Sequence, residues 1–424
     1  MSTSTLASEG VAHTERTDDP VERALRIFLG WAPDVPLPIG EHLPARNQGL
    51  PDLVISWNQA PEMTKRLINE GYAHLRRFAL LPSRKQVRWL LPLTEGRSSV
   101  DGFNLYKPFS PAARLMKAVV VRIRATGWEG WARHGLLVAS RKPLPIENLV
   151  RDVTGDENFT FALSLGTAGA FQKLTVQMTR SDGVILGYLK MPLTGRAGER
   201  LQHEAAFLRK LSGFSKLRPH LPQLLFAGPW DGSHVVFESA LEGETGPVRF
   251  TKLYEEFLKT LHSCRPAASP GRRLIEETAR SWERVVLHLG TKWQDLGREV
   301  LRIATRELET SMISCGIQHG DFTPWNSRVH RGCLFVFDWE SAAWEAPILW
   351  DQFHFLAQTE CLLRANHESP NQGGIRDRNR ALYLLYLLKS TAQAVEEEAN
   401  QLTIDFRETQ ILRYVSGFAM AASN

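Results

Sequence analysis

The order of short strands and helices after residue 158 restricts this chain more than any other feature of its sequence. The stretches 159–165 (FTFALSL), 172–178 (QKLTVQM) and 184–191 (VILGYLKM) are each rich in β-branched and aromatic residues. The turn signal 180–183 (RSDG) separates the second from the third, so the pattern predicts an antiparallel meander. Leu201, Ala205, Leu208 and Leu211 then recur at helical spacing over 199–211, and two further strands are expected at 223–227 and 234–239. Three strands, a helix and two strands make a small β-rich lobe over 156–242. The mainly helical remainder, 243–424, makes a larger one.

With 424 residues the chain is too long for one core, and two or three folded units are expected. Apolar residues at 43% and charged residues at 23% allow most of it to bury a proper interior. Residues 1–20 are polar, without hydrophobic period, and read as a mobile tail. Residues 21–155 carry their own apolar blocks, at 87–93, 103–106 and a helix-like 111–126, and read as an appended N-terminal α/β unit. The fold class is therefore α+β.

The net charge of +5, with a pI near 9.0, is a modest excess over this length. No recognition element concentrates Lys and Arg among aromatics, so no nucleic-acid partner is expected. The first twenty residues lack the basic start and apolar run of a signal peptide, and no later run approaches the roughly 18 residues of a membrane span. A cytoplasmic chain is the expectation. Cys264, Cys315, Cys333 and Cys361 form no Cys-x-x-Cys pair, which suits reduced, mostly buried thiols.

The chemistry is concentrated at 319–326 (HGDFTPWN) and 334–340 (LFVFDWE). Phosphoryl transfer needs a base to orient the attacking hydroxyl and oxygen ligands to hold magnesium against nucleotide phosphates. Asp321, Asn326 and Asp338 supply those groups. Five residues separate Asp321 from Asn326 (326 − 321), so one loop presents both, while Asp338 ends an apolar strand that aims its carboxylate. At 164–169 (SLGTAG), between the first two strands, the backbone N–H groups of Gly166, Thr167, Ala168 and Gly169 form a tight turn suited to covering phosphates. Singly, each of these residues reads as a turn or cap; their order gives the functional reading its weight.

These residues resemble the His-Gly-Asp-x-x-x-x-Asn loop and later metal-binding Asp of the aminoglycoside phosphotransferase and choline kinase superfamily, over roughly residues 158–424. The resemblance implies a protein-kinase-like bilobal fold, ATP and Mg2+ as cofactors, Asp321 as base, and Asn326 and Asp338 as metal ligands. It implies that Lys190 pairs with the α- and β-phosphates, that Glu204 holds that lysine, and that Glu238 and Ala240 meet adenine through their main chains. His319 is expected to brace the loop. Asp351 resembles the family's downstream Asp that supports the loop, with a helix cap as its other reading. The Gly-x-x-Gly spacing departs from the Gly-x-Gly-x-x-Gly of protein kinases.

Only thirteen residues separate Asp338 from Asp351 (351 − 338), too few for a phosphorylated loop and peptide platform, so a small-molecule hydroxyl acceptor is expected. A sugar or other polyhydroxylated metabolite is the first choice and an aminoglycoside antibiotic the second. A catalytically weak nucleotide-binding scaffold is the third reading. Trp325, Trp339, Trp344 and Trp350 read first as core packing and second as an acceptor wall. Arg114, Lys117, Arg122 and Arg124 flank apolar 115–123, giving an ordinary half-buried helix with a basic face, or in a second reading a peripheral contact with a membrane or lipid-linked substrate.

Overall fold

The computed structural model describes residues 19–31, 35, 37–40, 51–57, 60–93, 105, 115, 117–119, 121–122, 135–230, 232–241, 243–364, 376–399 and 401–421. Residues 1–18 of the tail expected at 1–20, the block at 103–106 apart from Leu105, and Arg114 and Arg124 of the expected basic helix lie outside them, whereas Asp19 and Pro20 are not tail but cap and open a helix.

Ten strands form one sheet in the order β1-β2-β5-β3-β4-β6-β7-β8-β10-β9. These are β1 (Ile39–Gly40), β2 (Leu53–Ser56), β3 (His74–Leu81), β4 (Trp89–Pro92), β5 (Gly135–Ser140), β6 (Phe159–Ser164), β7 (Lys173–Arg180), β8 (Ile185–Pro192), β9 (Leu224–Trp230) and β10 (Ser233–Ser239). The meander expected from the sequence is β6-β7-β8, antiparallel throughout. β4 pairs with β6, Trp89 opposite Ser164 and Leu90 opposite Leu163, so the strands before residue 155 continue the same sheet. They also share its core. Helix α1 (Pro20–Leu29) starts on Asp19, whose carboxylate accepts from the Val21 N–H, and buries Val21, Ala24, Leu25 and Phe28 on one face. Phe28 meets Phe161 of β6 edge-on at 5.2 Å between ring centres. The sheet's other helices are α2 (Pro61–Asn69), α3 (Pro145–Thr154) and α4 (Gly195–Leu211).

The second lobe holds α5 (Lys252–Cys264), α6 (Gly271–Glu283), α7 (Thr291–Leu308), α8 (Trp350–Leu363), α9 (Arg380–Glu396) and α10 (Gln401–Ala421). Two three-stranded sheets interrupt it: β11 (Glu244–Thr245), β14 (Ser327–His330) and β15 (Cys333–Val336) in one, β12 (Ala267–Pro270), β13 (Met312–Gln318) and β16 (Ala343–Pro347) in the other. One core joins α6, α7, α9 and α10 around Val300, Ile303, Leu384 and Ile411. Another, built from Phe207, Leu208, Phe257, Phe322, Trp339 and Phe355, lies beneath the loop after β13. That second core ties α4 of the small lobe to the large one and so fixes the cleft between them.

All four cysteines are free, and only Cys315 is buried; Cys264, Cys333 and Cys361 are half-exposed, less hidden than expected. Among the described residues no helix is long and apolar enough to cross a membrane.

Candidate active site

The loop after β13 is built around its glycine. Gly320 adopts φ +84°, and a Cβ there would stand 2.1 Å from the Ser341 carbonyl oxygen, so no other residue fits. Asp351, on the first turn of α8, accepts the His319 N–H at 2.8 Å and the Gly320 N–H at 2.9 Å. It therefore supports the loop. His319 is fully buried, its Nε2 3.0 Å from the Phe337 carbonyl and its Nδ1 accepting the Asp321 N–H at 3.2 Å. It braces rather than reacts.

With the loop held, Asp321 keeps an exposed carboxylate in a fixed pose. Its Oδ2 accepts from Asn326 Nδ2 at 2.8 Å, and its Oδ1 lies 2.9 Å from His354 Nε2. His354 Nδ1 in turn meets the Tyr386 hydroxyl at 3.1 Å. Burial pushes that phenol up to about 12, despite the nearby Arg407 charge, so Tyr386 remains a neutral hydrogen-bonding anchor. Asn326 spends its amide nitrogen on Asp321, leaving the amide oxygen as the atom it can offer a cation.

Across the cleft, β8 delivers Lys190 and α4 delivers Glu204, with Nζ and Oε1 2.6 Å apart and both side chains buried. Glu204 Oε1 also accepts the Trp339 N–H at 2.9 Å, locking the segment that carries Asp338 to α4. Lys190 lies 3.3 Å from both Glu238 and Asp338. Lys173, the first residue of β7, donates to Asp338 at 2.7 Å and to Glu340 at 2.6 Å. Asp338 itself sits in the left-handed region, φ 71° and ψ 58°, which few residues other than glycine tolerate.

The electrostatics follow from this crowding. Burial alone would raise Asp338, but the Lys173 and Lys190 ammonium groups hold it well below the usual carboxylate range. Burial lowers both lysines, yet their acidic neighbours more than reverse that and keep them charged. Burial raises Glu204 to about 7, and the Glu238 charge adds to it against the pull of Lys190. Glu340 is raised by burial and by Asp338. Glu204, Asp338 and Glu340 each bring a carboxylate oxygen within 4.8 Å of the others. Four carboxylates, counting Glu238, thus face two ammonium groups, with Arg200 3.7 Å from Glu340 offsetting part of the excess. Hard oxygen donors with this excess of negative charge fit a magnesium ion; those grouped closely enough to share one belong to Glu204, Asp338 and Glu340, and Asn326, the other expected ligand, lines the same cavity as Asp338.

Two cavities meet at the Asp321–Asn326 bond. One, about 310 Å³, is lined by Lys173, Lys190, Glu238, Asn326 and Asp338, together with Leu105 of the N-terminal unit. The other, about 410 Å³, is lined by Asp321, His354, Tyr386, Lys389 and Arg407. The glycine turn stands exposed between β6 and β7: Gly166 has φ +60°, and a Cβ would come 2.7 Å from the Lys173 carbonyl. Thr167, Ala168 and Gly169 complete its exposed arc. Glu238 enters by its side chain and not, as expected from the sequence, by its main chain, which is paired here with Tyr188 and Leu224. Ala240 follows the end of β10, between the cavity-lining Ser239 and Leu241.

Of the tryptophans, Trp339 is fully buried against His319 and Phe207, and Trp344 stacks on Phe207 at 4.1 Å. Trp350 is nearly buried but reaches the second cavity's wall, and Trp325 lines the first. Lys117 is half-buried, held below the ordinary lysine range by burial and by the charge of Arg328, another lining residue of the first cavity. Sequence reasoning missed Lys173, Glu340, His354, Tyr386 and Arg407 as site residues. For His354 a signal existed, since it stands three residues after Asp351 on the same helical face.

Residues 183–358 match the family described as phosphotransferase enzyme family. No curated protein matches the chain significantly. Solved structures that align with it include an aminoglycoside 2'-phosphotransferase-IIIa variant in complex with GDP, at 13% identity over 66% of this chain and 99% of that one, TM-score 0.44. Choline kinase LicA from Streptococcus pneumoniae aligns at 12% identity over 64% and 99%, TM-score 0.45. A thermostable aminoglycoside phosphotransferase APH(4)-Ia with ADP and hygromycin B aligns at 15% identity over 64% and 98%, TM-score 0.45. The segment similar to the phosphotransferase enzyme family is thus the one that carries Lys190, Glu204, Asp321, Asn326 and Asp338.

Proposed function

We propose that the chain transfers the γ-phosphate of ATP to a hydroxyl of a small molecule, a sugar or another polyhydroxylated metabolite being the first choice. The observation that carries this reading is the position of Asp321, an exposed carboxylate fixed at both oxygens where the lysine-lined cavity meets a second one. Nucleotide enters the first cavity, beneath the Gly166–Gly169 turn and against Lys190, with adenine toward Ala240. The acceptor enters the second.

Asp321 takes the proton of the acceptor hydroxyl as its oxygen bonds to the γ-phosphorus and the bond to the ADP oxygen breaks. Magnesium, held by Asn326 and Asp338, would supply neutralisation of phosphate charge. Lys190 is kept cationic and in place by Glu204, and His354 with Asn326 keeps the base oriented. The segment between Asp338 and Asp351 supports a small acceptor, because a short 3-10 turn (Trp339–Ser341) and β16 use it up, leaving no peptide platform.

A mass-spectrometric screen of hydroxylated metabolites and aminoglycosides, with ATP and magnesium, tests the reading. A phosphate-sized mass gain on a small molecule is expected. Full occupancy by nucleotide with no acceptor modified across sugars, polyols, hydroxy acids and aminoglycosides would favour the scaffold reading instead.

A further inference from the structure

Two arginines of the helical lobe are almost equally buried and differently served. Arg376, 4% exposed, donates to Glu360 at 2.9 Å, so its charge is paired even though its Nε is left without an acceptor. Arg407, on α10 and 6% exposed, lines the cavity, yet its Nη1 is buried with no hydrogen-bond partner. Among the described residues no carboxylate lies within ion-pairing distance of its guanidinium. A buried guanidinium nitrogen without an acceptor is costly, and folded proteins nearly always supply one. Among the described residues none is supplied to Arg407 Nη1.

The other charges of the cavity do not supply it either. Asp321 is engaged by His354 and Asn326, Glu340 by Lys173 and Arg200, and Glu397 by Arg200. Lys389 adds a second cation to the wall, its ammonium 4.7 Å from the Trp350 ring centre. Tyr386 links the two ends: it bonds to His354, which holds the base, and lies within electrostatic reach of Arg407. The cavity therefore holds a proton acceptor, Asp321, together with a buried cation, Arg407, that has no carboxylate partner among the described residues.

We infer that the acceptor carries an oxyanion, a carboxylate or a phosphate, which Arg407 receives with Lys389 alongside while a hydroxyl of the same molecule stands at Asp321. This rests on the phosphotransfer reading for its account of Asp321, but the anion site stands on Arg407 alone. A polycationic antibiotic is the wrong charge for such a wall. An anionic polyol or hydroxy acid is the right one.

The test uses the full chain with the first cavity filled by Mg-ADP, so that added anions are confined to the second. Melting temperature is followed in sulfate, in acetate and in chloride at matched ionic strength, for wild type and Arg407→Gln. Sulfate represents a tetrahedral oxyanion and acetate a carboxylate. At least one should raise the wild-type melting temperature above chloride by about 2 °C or more, with the rise lost in the variant. In chloride Arg407→Gln should melt no lower than wild type, since it removes an unpaired buried charge. An equal rise in both proteins, no rise in either, or a variant that melts lower in chloride would overturn the inference. Calorimetry of Mg-ADP separates the two readings. Binding of Mg-ADP without an Arg407-dependent anion effect defeats the anion site only, while the anion effect without Mg-ADP binding supports the anion site and defeats the phosphotransfer reading.

Discussion

The two cavities differ in how their charges are settled. Around Lys190 both lysines are paired with carboxylates inside the protein, Lys190 with Glu204, Glu238 and Asp338, and Lys173 with Asp338 and Glu340, while Arg328 donates to main-chain carbonyls. Around Asp321 the acid is oriented but open, and Arg407 and Lys389 wait for charge from outside. A nucleotide with its metal brings charge of both signs and can exchange partners with a network whose lysines are already paired. An acceptor must complete an unbalanced one, so the second cavity carries more of the specificity.

The contrast is broken most severely at Asp321. Asp321→Asn keeps the shape and the Asn326 contact but removes the base, and turnover of the acceptor found by mass spectrometry should fall by about 10²–10⁴-fold. Steady-state kinetics at saturating ATP will read this; unchanged turnover would end its role as base.

Lys190→Ala probes the balanced side. It leaves Glu204 buried among carboxylates, and loss of one partner of a buried pair typically costs about 3–5 kcal/mol. Urea unfolding should show a loss of that order, and pairing the change with Glu204→Gln should recover much of it, giving a non-additive cycle. Additive losses would mean that the two side chains do not form one unit.

A smaller effect is expected at His354, which orients the base without touching the transferred group. His354→Ala should lower turnover by roughly tenfold, the worth of one hydrogen bond to a charged group, and leave ATP affinity unaltered. A loss as large as that of Asp321→Asn would make it a participant in proton transfer. Smallest of all is Arg272→Ala, which removes an exposed pair with Glu276 on α6, far in sequence from both cavities. Its unfolding midpoint should match wild type, and a clear shift would show that surface pairs matter here more than the buried network implies.

Much of the first cavity, and the base of the second, was legible in the sequence because their elements are local signals. Asp321 and Asn326 share one loop, Asp338 ends an apolar strand, and Lys190 and Glu204 lie on successive elements with clear periodicity. The strands of the small lobe were placed to within a few residues for the same reason. What escaped depends on contacts between distant segments. Lys173 reads as an ordinary strand start until β7 is set beside Asp338, 165 positions away. Nothing local marks Tyr386 or Arg407, since α9 and α10 reveal which residues face the cavity only once packed against α8. The continuity of β4 with β6 was hidden likewise, because pairing across the long intervening segment leaves no local trace.

The division of labour between the cavities is tested most directly by Mg-ATP affinity, measured calorimetrically, in Asp321→Asn and Asp338→Asn side by side. The first should bind Mg-ATP within about twofold of wild type, because its carboxylate faces the acceptor. The second should bind at least roughly tenfold more weakly, because it removes a negative ligand facing metal and phosphates. Equal losses in both, or an undiminished affinity in Asp338→Asn, would contradict the assignment of nucleotide to one cavity and acceptor to the other.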